Sequence, residues 1–175
     1  MNGICYKDGC EYVTDGHWLY KICEYYAKEN EGRFIRADGV DVTEEVRTPA
    51  YDKVLERFKT ERQSYSLADL ITIKDFENIY KHFTHYKNKT LFENHSVLLD
   101  IGCERLAMNM YTLKAVLLFW RSYPKARLYA HAEENKPFFL TDGANTCAFC
   151  TMKDVLDWRI NWHYSTKDEI VKKIA

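Results

Sequence analysis

The stretch Thr14-Asp15-Gly16-His17-Trp18-Leu19-Tyr20-Lys21-Ile22-Cys23 is a turn followed by a strand. Thr14-Asp15-Gly16 carries turn residues, and glycine tolerates backbone angles that other residues avoid. After it Trp18, Tyr20, Ile22 and Glu24 alternate with Leu19, Lys21, Cys23 and Tyr25. Successive strand side chains point to opposite faces, so this period of two reads as β-structure.

Working outward, the N-terminal third continues in the same manner. Residues 4–7 and 10–13 form short strands around Asp8-Gly9, and 34–35 and 40–42 flank Asp38-Gly39. Asp-Gly between apolar runs is a hairpin signal. Tyr51, Val54, Leu55 and Phe58 have helical spacing behind Pro49, while 67–71 suits a strand. Two helices follow. Thr72 with Asp75 forms the start of the first, whose apolar face is Ile73, Phe76, Ile79, Tyr80 and Phe83. Asn109 caps the second, with Met110, Leu113, Val116, Leu117 and Trp120 on one face and Pro124 beyond its end. Strands are expected at 97–101, 105–108, 127–132, 138–141 and 146–152, the last two joined through Asp142-Gly143. The order predicts an α+β fold, antiparallel sheet with two principal helices on one face. The tail 154–175 reads as one or two short helices.

Composition bounds the function. In 175 residues, 46% hydrophobic and 15% aromatic, there is enough apolar surface for a real core. A net charge of −1 excludes a uniformly basic nucleic-acid binder. The apolar run 115–120 is too short to span a bilayer, and the N-terminus lacks the layout of a secretory signal. A cytoplasmic protein follows, with its 6 cysteines expected as reduced thiols. His82 and His85 with Cys147 and Cys150 do not make a zinc site, because thiols three apart on a strand face opposite ways. Phosphate-binding glycine loops and nucleophile elbows are lacking. The expectation is no enzyme, no cofactor and no metal.

Three separated segments resemble the bacterial sliding clamp, the beta subunit of DNA polymerase III. Asn2-Gly3-Ile4-Cys5-Tyr6 leading to Thr14-Asp15-Gly16-His17-Trp18-Leu19 is similar to the family's strand pair ending in Thr-Asp-Gly-His-Arg-Leu. Pro49-Ala50-Tyr51-Asp52-Lys53-Val54-Leu55 resembles its Pro-x-Tyr motif without the second proline. Asn109-Met110-Tyr111-Thr112-Leu113 resembles its last helix, and Cys150-Thr151-Met152 stands where the family has Met-Pro-Met. In order and spacing these match the end of the clamp's middle domain plus its last domain, in a truncated and divergent form. The resemblance implies a DNA-clamp-like region over 1–153, divided into a β-hairpin portion 1–50 and a helix-strand-helix-strand portion 51–153.

The family's properties then set the functional expectations. A pocket for linear peptides of replication or repair proteins would be lined by Thr14, Gly16, His17, Trp18, Leu19, Pro49, Val54, Ala148, Cys150 and Thr151. The alternative for Trp18 and Leu19 is ordinary core packing on a strand. Duplex DNA would be contacted non-specifically through the helices, by Lys81, Lys87, Lys89, Lys114, Arg121 and Lys125. The helix regions 72–89 and 109–127 carry net charges of +2 and +4, leaving −7 for the rest. Lysine and arginine suit phosphate contact, and an ordinary solvated helix face would look the same. A DNA-encircling homo-oligomer, an interaction protein of other function on the same scaffold, and a small Cys/His enzyme are the alternatives.

Overall fold

The computed structural model describes residues 3–15, 17–24, 27–45, 51, 55, 64–68, 71–84, 96–100, 105–131, 137–150, 162–165 and 170–173. Strands β1 (Gly3–Lys7), β2 (Cys10–Thr14) and β3 (Trp18–Ile22) form a meander. The Asp8-Gly9 turn has φ of 52° and 71°, the left-handed pair that a two-residue hairpin turn needs. Strand β4 (Phe34–Arg36) adds to β1, and a bridge from Ile35 to Asp41 closes the turn at Asp38-Gly39. Strand β5 is Ser64–Ser66, slightly ahead of the expected 67–71. Tyr51 and Leu55 are both helical.

Helix α1 spans Ile73–Thr84. The Asp75 carboxylate reaches back to accept from the Thr72 backbone N–H and hydroxyl, both at 2.7 Å, satisfying a donor that the helix itself leaves over. Strands β6 (Ser96–Asp100) and β7 (Arg105–Asn109) follow. Helix α2 (Met110–Ser122) starts at Asn109, whose side chain accepts from the Thr112 N–H at 2.8 Å. Strands β8 (Arg127–His131), β9 (Phe138–Thr141) and β10 (Thr146–Phe149) complete a second meander. The tail contributes β11 (Trp162–Ser165) and β12 (Ile170–Lys173).

Among the described residues the strands make two sheets. The larger has eight strands in the order β4-β1-β2-β3-β10-β9-β8-β5, antiparallel throughout. The smaller runs β12-β11-β6-β7 and contains one parallel pair, β11 with β6. The α+β expectation therefore holds, with helices α1 and α2 packed on each other and α2 laid against β3 and β10. Phe76 of α1 meets Trp120 of α2 edge-on at 5.5 Å. Where the tail is described it is not helical: β11 and β12 are extended, because β6 offers an open edge whose N–H and C=O groups need partners.

The middle of the large sheet has an apolar layer on each face. Cys147, Phe149, Phe138, Leu140, Leu128 and Ala130 face the helices, joined there by Trp18, Tyr20 and Ile22. Leu19, Ala148, Phe139, Tyr12, Cys5 and Phe34 face the other way, against Val42, Tyr51 and Leu55. At about 25 cal/mol per Å² of apolar surface removed from water, both layers contribute to holding the central strands.

The expectation of reduced thiols fails at one place: Cys10 and Cys23 are joined in a disulfide. The β2–β3 register sets Glu11 opposite Ile22, so the next pair outward is Cys10 and Cys23, with Cα atoms 4.2 Å apart. That juxtaposition comes from pairing, not from a sequence spacing. Cys5, Cys147 and Cys150 are outside disulfides. Helices long and apolar enough to cross a membrane are lacking among the described residues.

Candidate binding site

Strand β3 joins the two meanders by pairing with β10. Trp18 lies opposite Phe149, Leu19 opposite Ala148 and Tyr20 opposite Cys147. The ladder continues past the strand ends, where the Cys150 N–H donates to the His17 carbonyl at 3.1 Å. The turn before β3 is shaped by its own side chains. The Asp15 carboxylate accepts from the N–H groups of His17 (2.8 Å) and Trp18 (3.1 Å), and the Thr14 hydroxyl donates to the Trp18 carbonyl at 2.5 Å. Such local bonds let aspartate and threonine set a turn without help from a ladder.

The segments singled out by sequence thus come together in space. Thr14, His17, Trp18 and Cys150 share one end of the β2-β3-β10 seam, with His17 and Cys150 exposed and Thr14 and Trp18 half-buried. Tyr51 stacks on Tyr12 at 5.4 Å and belongs to the same apolar layer as Leu19 and Ala148. Gly16, Pro49, Val54 and Thr151 lie outside the described residues.

The seam also separates residues expected in one wall. Trp18 and Leu19 are neighbours on a strand and point to opposite faces. Trp18 packs on Tyr20 at 4.3 Å on the helix side, and Tyr20 continues to Phe119 of α2 at 5.4 Å. Leu19 and Ala148 are buried on the other side. Those two are core residues and offer no surface to a ligand. The Tyr20 hydroxyl donates to the Ala115 carbonyl at 2.5 Å, tying β3 to α2. Burial raises its pKa well above the ordinary tyrosine value, with the neighbouring Cys147 and Asp15 adding to the shift. Burial likewise raises the Cys147 thiol far above its usual range, so it stays protonated and is a poor nucleophile.

A second surface lies on α2. Tyr111 (50% exposed) and Leu118 (49%) stand out from the helix with Lys114 and Arg121. At intervals of three and four residues these four form one stripe. The Arg121 guanidinium Nε lies 3.1 Å from the Glu77 carboxylate of α1. Lys81 is exposed on α1. Lys125 is exposed beyond the end of α2 and lines a separate cleft. Lys87 and Lys89 lie outside the described residues.

That cleft, of about 460 Å³, is formed at the opposite end of the β3–β10 seam by Cys23, Glu24, Tyr123, Lys125, Asp142 and Asn145, among others. The residue pattern had marked only a turn at Asp142-Gly143. The usable signal was Asn145, a polar residue just ahead of a strand; it proves to be only 4% exposed. Its side-chain oxygen accepts from the Cys23 N–H at 2.9 Å. Burial pushes the Asp142 carboxyl up, but hydrogen bonds from Asn145 and Ala144 outweigh this and leave its pKa below the usual value.

Compared with family models, curated proteins and solved structures, the chain finds no match.

Proposed function

We propose that the protein is a non-enzymatic, clamp-like binding module of the cytoplasm that docks a short linear peptide of a DNA replication or repair partner. The observation that supports this is the seam itself. Trp18 and Leu19 pair in register with Phe149 and Ala148, the Cys150 N–H reaches the His17 carbonyl, and Tyr51 shares the buried layer of Leu19 and Ala148. Thr14, His17 and Cys150 supply polar groups at this end of the seam, and Trp18, half-buried on the helix side, supplies an aromatic edge, which suits anchoring one apolar peptide side chain and setting its register. The backbone there is held by Asp15 and Thr14, so little ordering remains to be done on binding.

The test is a calorimetric titration with a clamp-type peptide, Gln-Leu-x-Leu-Phe. Saturable binding is expected, weakened at least about tenfold, roughly 1.4 kcal/mol, by His17→Ala together with Trp18→Ala. A folded protein that does not bind the peptide refutes the reading.

A second reading is favoured by the stripe on α2. The helix contains no acidic residue, and its outer face sets Lys114 and Arg121 beside Tyr111 and Leu118. Under this reading the stripe contacts duplex phosphates, in a ring-sized homo-oligomer. Binding would fall steeply with salt, and Lys114→Ala would lower the salt slope by about one. A strict monomer at high concentration, with no duplex affinity at low salt, removes it.

A further inference from the structure

The Cys10–Cys23 pair falls outside the peptide and DNA readings, and the cleft beside it shares only Lys125 with the DNA reading. Cys10 is only 5% exposed. Cys23 is half-buried and lines the cleft. Of the two residues, Cys23 is the one at the cleft and Cys10 is the more shielded.

Cys23 is also wired into the opposite wall. Its backbone N–H donates to Asn145 Oδ1, and Asn145 in turn donates to Asp142 through its backbone (2.8 Å) and side chain (3.3 Å). The same carboxylate accepts from Ala144 at 3.0 Å. The position of Cys23 thus bears on the turn between β9 and β10. The cross-link is not the only tie between these strands. Strands β1, β2 and β3 have continuous ladders, and both apolar layers are in place.

We infer that Cys10–Cys23 is a reversible dithiol–disulfide site, opened from the cleft at Cys23, whose state sets the order of the Asp142–Asn145 turn. A reductant thiolate attacks Cys23 Sγ, the S–S bond breaks, and Cys10 leaves as a thiolate that takes a proton from water. A second thiol of the same dithiol reductant then displaces Cys23, which is protonated likewise, and the reductant closes as its own disulfide. Two electrons pass from the reductant to the pair. The opposite direction needs a disulfide oxidant such as oxidised glutathione. Accessible pairs of this kind are the labile ones, and in reducing compartments they act as sensors rather than staples. The inference is independent of the peptide reading, whose residues lie at the other end of β3.

The full chain, air-oxidised, is titrated with dithiothreitol without denaturant, quenched with iodoacetamide and mapped by mass spectrometry, with far-ultraviolet circular dichroism in parallel. The pair is expected to reduce and reoxidise while the dichroism stays constant. In the reduced state the amides of Ala144 and Asn145 exchange about tenfold faster, and those of the β1–β2 ladder are unchanged. Cys10→Ser should form a mixed disulfide with oxidised glutathione at Cys23 at least about tenfold faster than Cys23→Ser does at Cys10. The inference is overturned if reduction occurs only together with unfolding, if the air-oxidised protein carries both as thiols, if Cys10 reacts faster, or if the turn amides do not respond.

Discussion

Leu19→Ala asks whether the residue after Trp18 is core or ligand surface. Leu19 is 6% exposed and packs in a layer with Tyr12, Tyr51, Leu55, Phe139 and Ala148. Its cross-strand neighbour Ala148 is too short to fill the space left by the truncation, and the Tyr12–Tyr51 stack resists collapse. Buried leucines truncated to alanine lose their transfer energy and leave a cavity, typically about 2–5 kcal/mol in total. A loss of about 3 kcal/mol is expected here. With a urea dependence of about 2 kcal/mol per molar, the midpoint falls by about 1.5 M. The assay is urea unfolding followed by tryptophan fluorescence and circular dichroism, which should agree and keep an unchanged slope. Leu19→Met, nearly equal in volume, should cost less than about 1.5 kcal/mol, and His17→Ala, exposed at the end of the seam, less than about 0.5 kcal/mol. If Leu19→Ala also costs less than about 0.5 kcal/mol, the side chain is not core and the two-faced account of β3 is wrong.

Asn109→Ala removes the cap of α2. The first turn has no acidic residue to compensate, so about 1 kcal/mol is expected, seen as a drop in Tm of about 2–4 °C. Asp142 has a depressed folded pKa, so its contribution is present above the ordinary carboxylate pKa and is lost as pH falls through the folded value. Asp142→Asn should flatten the acid limb of a stability-against-pH curve, and an unaltered limb would contradict the turn geometry. Replacing Cys10 and Cys23 together by serine should lower stability in oxidising buffer by about 3 kcal/mol, the loop-closure value for a separation of 13 residues. In dithiothreitol the variant and the parent should differ far less.

Much of the fold was legible because its causes are local. Asp8-Gly9 takes left-handed angles that few other dipeptides accept. Asn109 meets one of the orphan N–H groups of α2, that of Thr112, with its own side chain. Ile73, Phe76, Ile79 and Tyr80 repeat at helical spacing and pack as that spacing demands. The strands after α2 begin at or beside the residues where alternation begins.

The candidate site was legible only in part. The Thr14–Leu19 and Ala148–Cys150 segments meet across the seam, but alternation could not assign a face to Leu19. A period of two separates the faces of a strand and does not say which is core, and β3 is apolar on both. Pairing was equally out of reach. The joining of β3 to β10 and the docking of the tail on β6 bring together segments far apart in sequence. Nothing local distinguishes one extended partner from another. The short tail fits helix or strand until an edge is offered to it. The disulfide follows the same logic: two cysteines 13 residues apart become partners only once the register of β2 on β3 is set. By itself the sequence determined the two principal helices, the Asp-Gly turns and the strands beside them, since those outcomes rest on backbone angles and neighbours within a few residues. The tertiary structure decided which strands meet, which face of each is buried, and hence which side chains reach the surface. Those outcomes depend on how the available apolar area is shared among all the segments at once.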